Sequence, residues 1–118
     1  MTTEDLRLGT IRMCSDRNQN KRNKVDIEIE DGVKVEIEFR MLGSYEMDLI
    51  QIKYGCLKDP EDYTSEDFKK SAMFKYVFLH ACIVSPEMSI EYLKNLDIIT
   101  FNKLYTKITE AYMNEYEK

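Results

Sequence analysis

The feature that most constrains how this chain can fold is the apolar run from Met73 to Val84, which reads M-F-K-Y-V-F-L-H-A-C-I-V. At about 100° per residue, its large apolar side chains point in every direction around a helix, and only Lys75 and His80 interrupt them. Such a helix has to be buried on several sides. Thr64, followed closely by two acidic residues, is a good helix start, so the sequence predicts a central helix from Ser65 to Val84 with other elements packed around it.

Apolar and charged residues alternate between residues 25 and 41, a pattern that predicts a β-hairpin with one buried face. A two-residue Asp31-Gly32 loop would place Ile29 opposite Lys34 and so mix apolar and charged side chains on one face. We therefore expect a three-residue loop, Glu30 to Gly32, with the glycine in the left-handed conformation. The predicted cross-strand pairs are Ile29 with Val33, Ile27 with Val35, and Val25 with Ile37.

Three more helices are predicted after the hairpin. Ser44 can cap a helix that ends at Gly55. Ser85-Pro86 predicts a sharp corner after the central helix, because the residue before a proline avoids helical angles, and a short helix follows that corner. Asp97 then caps a last helix that ends near Tyr116. The inner stripe of this last helix is predicted to consist of Phe101, Leu104, Ile108, Ala111 and Tyr112.

The first 24 residues differ from the rest in composition. The spacing of the apolar residues between Leu6 and Met13 predicts a short third strand whose phase slips at Gly9-Thr10, as a β-bulge would cause. Residues 15–24 contain no apolar side chain, so they predict a solvated loop, with a phosphate-binding arm as the alternative. We expect residues 1–24 to form a polar, partly mobile arm. Residues 25–118 are predicted to form a single α+β domain, in which the hairpin packs on a small bundle of about four helices.

Charge is unevenly distributed along the chain. The 118 residues carry 17 basic and 22 acidic side chains, which suits one domain with a net charge of −5. Residues 1–24 hold six of the basic and three of the acidic groups, so residues 25–118 carry a net charge of −8. An acidic body argues against nucleic acid as a partner. No apolar run reaches the ~18 residues that span a bilayer, and the first nine residues lack the features of a signal peptide, so we expect a cytoplasmic protein without a membrane partner.

The residues that most often carry chemistry are few and scattered. Cys14, Cys56 and Cys82 are widely spaced and form no C-x-x-C pair, so their spacing predicts neither a zinc site nor a disulfide framework. His80 is the only histidine, and it is expected to be a buried or half-buried structural residue. The sequence contains no phosphate-binding glycine loop, paired-histidine metal motif or nucleophile elbow. We therefore expect no catalytic residue, cofactor, metal ion or small-molecule substrate, and hence no enzyme.

Tyrosine and methionine are the residues most suggestive of an interface. The chain has eight tyrosines, seven methionines and no tryptophan. Tyrosine offers a large contact area with a polar tip, and methionine packs adaptably against more than one shape. Tyr105, Tyr112 and Tyr116 lie along one flank of the last helix and are predicted to bind a partner. The alternative is that the tyrosines lie at the boundary of the core.

Two segments together resemble the small tail assembly chaperones of tailed phages and prophages. Residues 35–52, V-E-I-E-F-R-M-L-G-S-Y-E-M-D-L-I-Q-I, are similar to a strand of that family that ends in Phe-Arg and is followed by a polar turn and a helix. Residues 76–93, Y-V-F-L-H-A-C-I-V-S-P-E-M-S-I-E-Y-L, are similar to its apolar helix, which runs into a Cys-Val-Val-x-Pro-type corner and another helix. The resemblance covers about residues 25–116, and the polar arm before Lys24 departs from it.

The resemblance implies a non-enzymatic protein of the host cytoplasm that forms homo-oligomers and coats the tape measure protein. Coating would keep this long helical chain soluble until tail tube subunits polymerise around it. The composition also permits an alternative, a small acidic inhibitor that mimics nucleic-acid charge and blocks a basic site on a partner protein. Salt separates the two functions, because charge mimicry weakens steeply as salt rises, whereas apolar helix capture does not.

Overall fold

The computed structural model describes residues 2–55 and 58–117, which form the predicted α+β fold. Strands β1 (Arg22–Glu30) and β2 (Val33–Arg40) form the antiparallel hairpin. Its apolar side chains point to one face, where Ile27 and Ile37 are fully buried, while the charged residues between them point outward. This hairpin confirms the alternation seen in the sequence.

The turn of the hairpin differs from the prediction. Val25 pairs with Ile37 and Ile27 with Val35 as predicted, but Glu30 stands opposite Val33, where Ile29 was expected. The turn therefore contains only Asp31 and Gly32, and Gly32 has a φ of +79°. The two-residue loop was excluded on the assumption of an unbroken register. The register shifts between Glu28 and Glu30, as in a β-bulge, which allows the short turn and keeps the apolar residues on one face.

The central helix α3 (Ser65–Cys82) begins as predicted and ends two residues early. Thr64 and Asp67 form a reciprocal capping box at its first turn. After Cys82 the chain extends, and Ile83–Ser85 forms β3, which pairs with β2 and completes the sheet order β1-β2-β3. The prediction of a helix through Val84 was wrong because the open edge of β2 offers hydrogen bonds to this β-branched segment. The cis Ser85-Pro86 bond lies at the predicted corner.

Within the described residues, three further α-helices and a short 3-10 helix (Pro60–Asp62) complete the body. Helix α2 (Ser44–Tyr54) packs on α3, and α4 (Ile90–Lys94) follows the corner. Helix α5 (Ile98–Tyr116) begins at the predicted cap Asp97 and lies against β1. Gly43, rather than the predicted Ser44, is the cap residue of α2. The buried core consists of Ile27, Ile37, Phe39, Phe78, Leu79, Cys82, Ile83, Leu93, Phe101, Leu104, Ile108 and Tyr112.

The outer strand β1 and the C-terminal end of α2 each have a specific local contact. The Lys103 ammonium donates a hydrogen bond to the Ile29 carbonyl oxygen on the outer strand β1, at 3.0 Å. Helix α2 ends where predicted, at Gly55. A Cβ atom at this position would lie 2.5 Å from the Gln51 carbonyl oxygen. Only glycine fits such a close approach.

The N-terminal region is a helix, not the predicted strand and solvated loop. Helix α1 (Thr3–Asn20) starts with a capping box formed by Thr2 and Asp5, and Arg17 lies in its last turn. Both features stabilise a helix locally. The apolar residues that predicted a strand are spread around α1, and none of its residues is buried. Helix α1, which we call the helical arm, leads through Lys21 into β1, and β1 begins at Arg22. Residues 22–24, which were predicted to belong to the arm, are therefore part of the sheet.

Candidate protein-binding surface

A groove of about 450 Å³ lies between the β2–α2 connection, the start of α2 and the end of α5. Three of the seven methionines meet here from three different parts of the chain, together with two of the predicted tyrosines. We call it the methionine groove. It is lined by Met41, Leu42, Ser44, Met47, Asp48, Tyr112, Met113 and Tyr116.

The walls of the methionine groove are held by polar contacts at its base. Arg40, the last residue of β2, forms a 2.8 Å ion pair with Glu46 in the first turn of α2, and this hydrogen bond raises the pKa of the Arg40 guanidinium. The Leu42 backbone N–H donates to the Tyr112 hydroxyl oxygen at 3.4 Å. Burial raises the pKa of that hydroxyl above its ordinary value. These contacts fix the connection between β2 and α2 against α5.

The core supports the same wall from beneath. The Tyr112 ring packs edge-to-face against Phe78 of α3, with 5.2 Å between the ring centroids. Tyr112 is buried, whereas Tyr116, one turn further along α5, is 72% exposed. The groove thus has a fixed floor and a rim of exposed, adaptable side chains such as Met113 and Tyr116.

A second cavity, also of about 450 Å³, adjoins the methionine groove on the side of α1. The two cavities share Met41, Leu42, Ser44 and Tyr116. Lys21, just after α1, forms a 3.1 Å ion pair with Glu115 of α5 across this second cavity. The base of the helical arm therefore lies directly beside the apolar groove.

An exposed apolar stripe on the outer face of α2 extends the surface. Tyr45, Leu49 and Ile52 are exposed and are spaced at i, i+4 and i+7, so they lie on one side of the helix. Spacing of this kind on a helix usually marks the side that packs on the core. On α2 the core side is instead occupied by Ile50, which is buried. The stripe is therefore an exposed apolar patch on the surface of the chain.

The three predicted tyrosines have different surroundings. Tyr112 and Tyr116 line the methionine groove, but Tyr112 is buried, so its ring belongs mainly to the core. Tyr105 is half-buried and stacks on Phe101 at 6.1 Å, with the Lys75 ammonium 5.4 Å from its ring centroid. The predicted tyrosine flank of the last helix did not indicate that three methionines line the same groove, because these methionines come together only when the chain folds.

The outer face of the hairpin carries charges of both signs. Glu28 stands opposite Lys34, and Lys24 stands opposite Glu38. The Lys24 ammonium also lies 3.6 Å from a carboxylate oxygen of Glu36. Lysine residues therefore interrupt the row of carboxylates on this face.

The cysteines and the histidine occupy structural or peripheral positions. Cys82 is fully buried, and burial raises the pKa of its thiol to about 12. Cys14 is exposed on α1, and Cys56 lies outside the described residues. His80 is exposed, contrary to the prediction of at least partial burial, and its Nδ1–H donates to the Met88 carbonyl oxygen at 2.9 Å.

Other kinds of site were also considered. Within residues 2–55 and 58–117, no cluster of three or more His, Cys, Asp or Glu side chains is arranged to hold a metal ion. In the same part of the chain, no helix combines the length and the apolar character needed to cross a membrane. Comparison with known protein families, with curated proteins and with solved structures finds no match to this chain.

Proposed function

We propose that this protein is a non-enzymatic tail assembly chaperone, which self-associates and binds helical segments of a tape measure protein in the cytoplasm of a phage host. The observation that carries the proposal is the methionine groove beside the exposed stripe of α2. This surface adds an apolar site to the sequence resemblance, which covers the strand, turn and helix that build one wall of the groove. The chaperone would act by covering apolar faces of its partner.

The chemistry of the groove suits an amphipathic helix. Helices bind in grooves through apolar side chains spaced at i, i+3, i+4 and i+7. Met41, Met47 and Met113 can adjust their rotamers to different side chains, as a protein that covers many successive segments of one long chain requires. Asp48 at the rim could pair with a basic residue of the bound helix.

The charge-mimic alternative has less support from the surface of the hairpin. A mimic of nucleic acid presents carboxylates in a continuous array to a basic site. Here Lys24 and Lys34 stand among the carboxylates, opposite Glu38 and Glu28. Exposed surface pairs of this kind lower the local negative potential even when each contributes little to stability.

Co-expression tests the proposal directly. The reading frame beside the gene of this chain is expected to encode a very long helical protein, and fragments of it would be co-expressed with the chaperone. The wild type should keep at least one helical fragment soluble, and this effect should persist in moderate salt because the contacts are mainly apolar. Replacing Met113 and Tyr116 with Ser should reduce the soluble fraction severalfold, since both line the groove and neither is buried.

Two controls define the result. Tyr92→Ser removes an exposed tyrosine that does not line the groove, and it should leave capture unchanged. Replacing Glu28, Glu36 and Glu38 with Gln should have a smaller effect than the groove variant, whereas the charge-mimic alternative requires the reverse. Circular dichroism must show that every variant is folded. Failure of the wild type to solubilise any fragment would reject the capture function.

A further inference from the structure

Helix α1 has no apolar packing within its own chain. Leu6, Leu8, Ile11 and Met13 are between 57% and 72% exposed, and no residue of the helix is buried. Most helical stability in proteins comes from tertiary packing of an apolar face. The four large exposed apolar side chains of α1 are therefore available for such packing against a second molecule.

The accessible surface of the chain is large enough to leave room for such a contact. A folded monomer of 14.0 kDa is expected to expose about 6,700 Å², but this chain exposes 8735 Å². Its radius of gyration is 17.1 Å, compared with about 13.5 Å for a compact domain of 118 residues. The excess of about 2,000 Å² exceeds the roughly 800 Å² per partner that a standard stable interface buries.

The apolar residues of α1 form two narrow stripes. Leu6 and Met13 are seven residues apart and lie on one side of the helix, while Leu8 and Ile11 lie about half a turn away, on the opposite side. A single flat partner surface could cover only one of these stripes. Both stripes are covered if α1 lies between a second helix and the body to which that helix belongs.

Charge along α1 indicates what the second helix is. The first half of the helix has a net charge of −1, from Glu4, Asp5 and Arg7. The second half has a net charge of +1, from Arg12, Asp16 and Arg17. Two parallel copies of this helix would place basic end against basic end. Two antiparallel copies place the acidic end of each against the basic end of the other. The helix is thus complementary to itself in the antiparallel orientation.

We infer that two copies of this chain exchange their α1 helices as an antiparallel pair in a twofold-symmetric dimer. One stripe of each helix packs on the partner helix and the other packs on the partner body. An 18-residue helix is about 27 Å long, so its acidic end reaches the base of the partner helix. The cavity between α1, the β2–α2 connection and α5 lies at that base and receives the apolar residues near the acidic end.

The inference concerns only the self-association within the proposed function, and it does not depend on capture of a tape measure segment. Twofold symmetry makes the contact isologous, so each chain contributes both an arm and a cavity. The arm is the part of the chain that departs from the chaperone resemblance, and the dimer gives it a role.

Paired cysteine variants of the full-length chain test the orientation. All carry Cys14→Ser and Cys56→Ser, with buried Cys82 left in place. One variant adds Thr3→Cys near the acidic end and the other adds Asn18→Cys near the basic end. Under mild oxidation, the mixture should form cross-linked dimers, while each variant alone should form few. Cross-linking of each variant alone, without enrichment in the mixture, would indicate a parallel pair and overturn the inference.

Charge substitutions test the same contact without cysteines. Glu4→Lys and Arg17→Glu should each weaken the dimer about tenfold, because each replaces two symmetry-related attractions with repulsions. The double variant should recover affinity close to that of the wild type. Multi-angle light scattering and sedimentation over a range of concentrations measure the dissociation constants, and circular dichroism checks the helix content. If the losses of dimer affinity from Glu4→Lys and Arg17→Glu simply add in the double variant, the antiparallel pairing of the two helices is contradicted.

Substitutions in the apolar stripes of α1 test whether these side chains hold the dimer together. Leu6→Ser combined with Met13→Ser should shift the protein to monomer, and Ile98→Ser, at an exposed position on α5, should not. A wild type that is strictly monomeric at all concentrations would overturn the inference. That result would be independent of the co-expression assay, because capture of a tape measure fragment is read from its solubility and can succeed or fail with either oligomeric state.

Discussion

Helices α1 and α3 begin with the same kind of cap, but only α3 packs in the core. Each contains 18 residues, and each starts with a threonine whose side chain forms a capping box with an aspartate three residues later. Phe78, Leu79 and Cys82 of α3 are buried in the core, but α1 has no buried residue. The caps of both helices are local features, so they define where a helix starts but not whether it packs.

The difference comes from the arrangement and the number of apolar side chains. Helix α3 carries a dense apolar half that several elements cover, including Phe78, which packs against Phe74 and Tyr112. Helix α1 carries four large apolar residues in two opposed stripes, separated by charged residues. The first arrangement packs within one chain, whereas the second leaves both stripes exposed.

Thiol labelling gives the largest expected contrast between the two helices. Cys14 lies exposed on α1, whereas the Cys82 thiol on α3 is fully buried and has a pKa raised to about 12. Because the thiolate is the reactive form, Cys82 should react more than about a thousandfold more slowly than Cys14 at pH 8 in a Cys56→Ser variant, at concentrations where the chain is monomeric. Mass spectrometry of the labelled peptides measures both rates, and similar rates would show that α3 is not packed as described.

The next largest difference is expected when an apolar side chain of each helix is truncated to alanine and the free energies of unfolding are compared. Phe78→Ala should lower the free energy of unfolding by about 3–5 kcal/mol, because it removes a buried aromatic ring and leaves a cavity. Ile11→Ala on α1 should change it by less than about 0.5 kcal/mol at concentrations where the chain is monomeric. Urea unfolding followed by circular dichroism measures both values. A loss below about 1 kcal/mol for Phe78→Ala would contradict the position of this side chain in the core.

Removing the matched caps sharpens the comparison. Thr64→Ala should lower the free energy of global unfolding by about 1 kcal/mol, since α3 unfolds together with the core. Thr2→Ala should leave global unfolding unchanged in the monomer and reduce only the helical circular dichroism signal, because α1 can fray on its own. An equal effect of both substitutions on global unfolding would show that α1 is coupled to the body.

The smallest expected effect is on the pH dependence of the free energy of unfolding. Hydrogen bonding to the Thr64 N–H, followed by the contact with Lys58, lowers the pKa of Asp67 below its ordinary value of 3.8. A lowered folded-state pKa stabilises the protein above the ordinary value, and this contribution is lost as pH falls through the lower one. The stability gap between wild type and Asp67→Asn should therefore narrow from pH 7 to pH 3 in urea unfolding.

The matched variant on α1 is Asp5→Asn. The Thr2 N–H likewise lowers the pKa of Asp5, but this helix is not packed on the core. Acid should consequently change its helix content without changing the midpoint of global unfolding. A pH-dependent gap in global stability for Asp5→Asn would again mean that α1 and the body unfold together.

The predictable parts of the fold depend on local pattern. The alternation around Ile27 and Ile37 indicated the hairpin face, and Thr64 and Asp97 indicated two helix starts, because capping involves residues only three apart. Strand β3 was missed because three residues form a strand only where β2 offers a free edge. Thr2 and Asp5 have the spacing of a capping box and so indicated the start of α1. The apolar residues of this helix are scattered, however, and do not form a single helical face.

The candidate site was only partly predictable for a related reason. Tyr116 could be identified because it lies at the exposed end of a clear amphipathic helix, and it does line the methionine groove. Tyr112 occurs in the same flank but faces the core, where its hydroxyl oxygen accepts the Leu42 N–H. Met41 and Met113 are 72 positions apart in the sequence, so only the folded chain brings them together.

The lysine at the outer strand has a consequence for behaviour at high concentration. Strand β1 is an outer strand of the sheet, and the Lys103 ammonium donates a hydrogen bond to the Ile29 carbonyl oxygen of this strand. A foreign strand that extended the sheet would have to displace this charged group and leave it without its acceptor. Lys103 therefore opposes open-ended strand addition and amyloid-like stacking at this edge of the sheet, even in a concentrated solution.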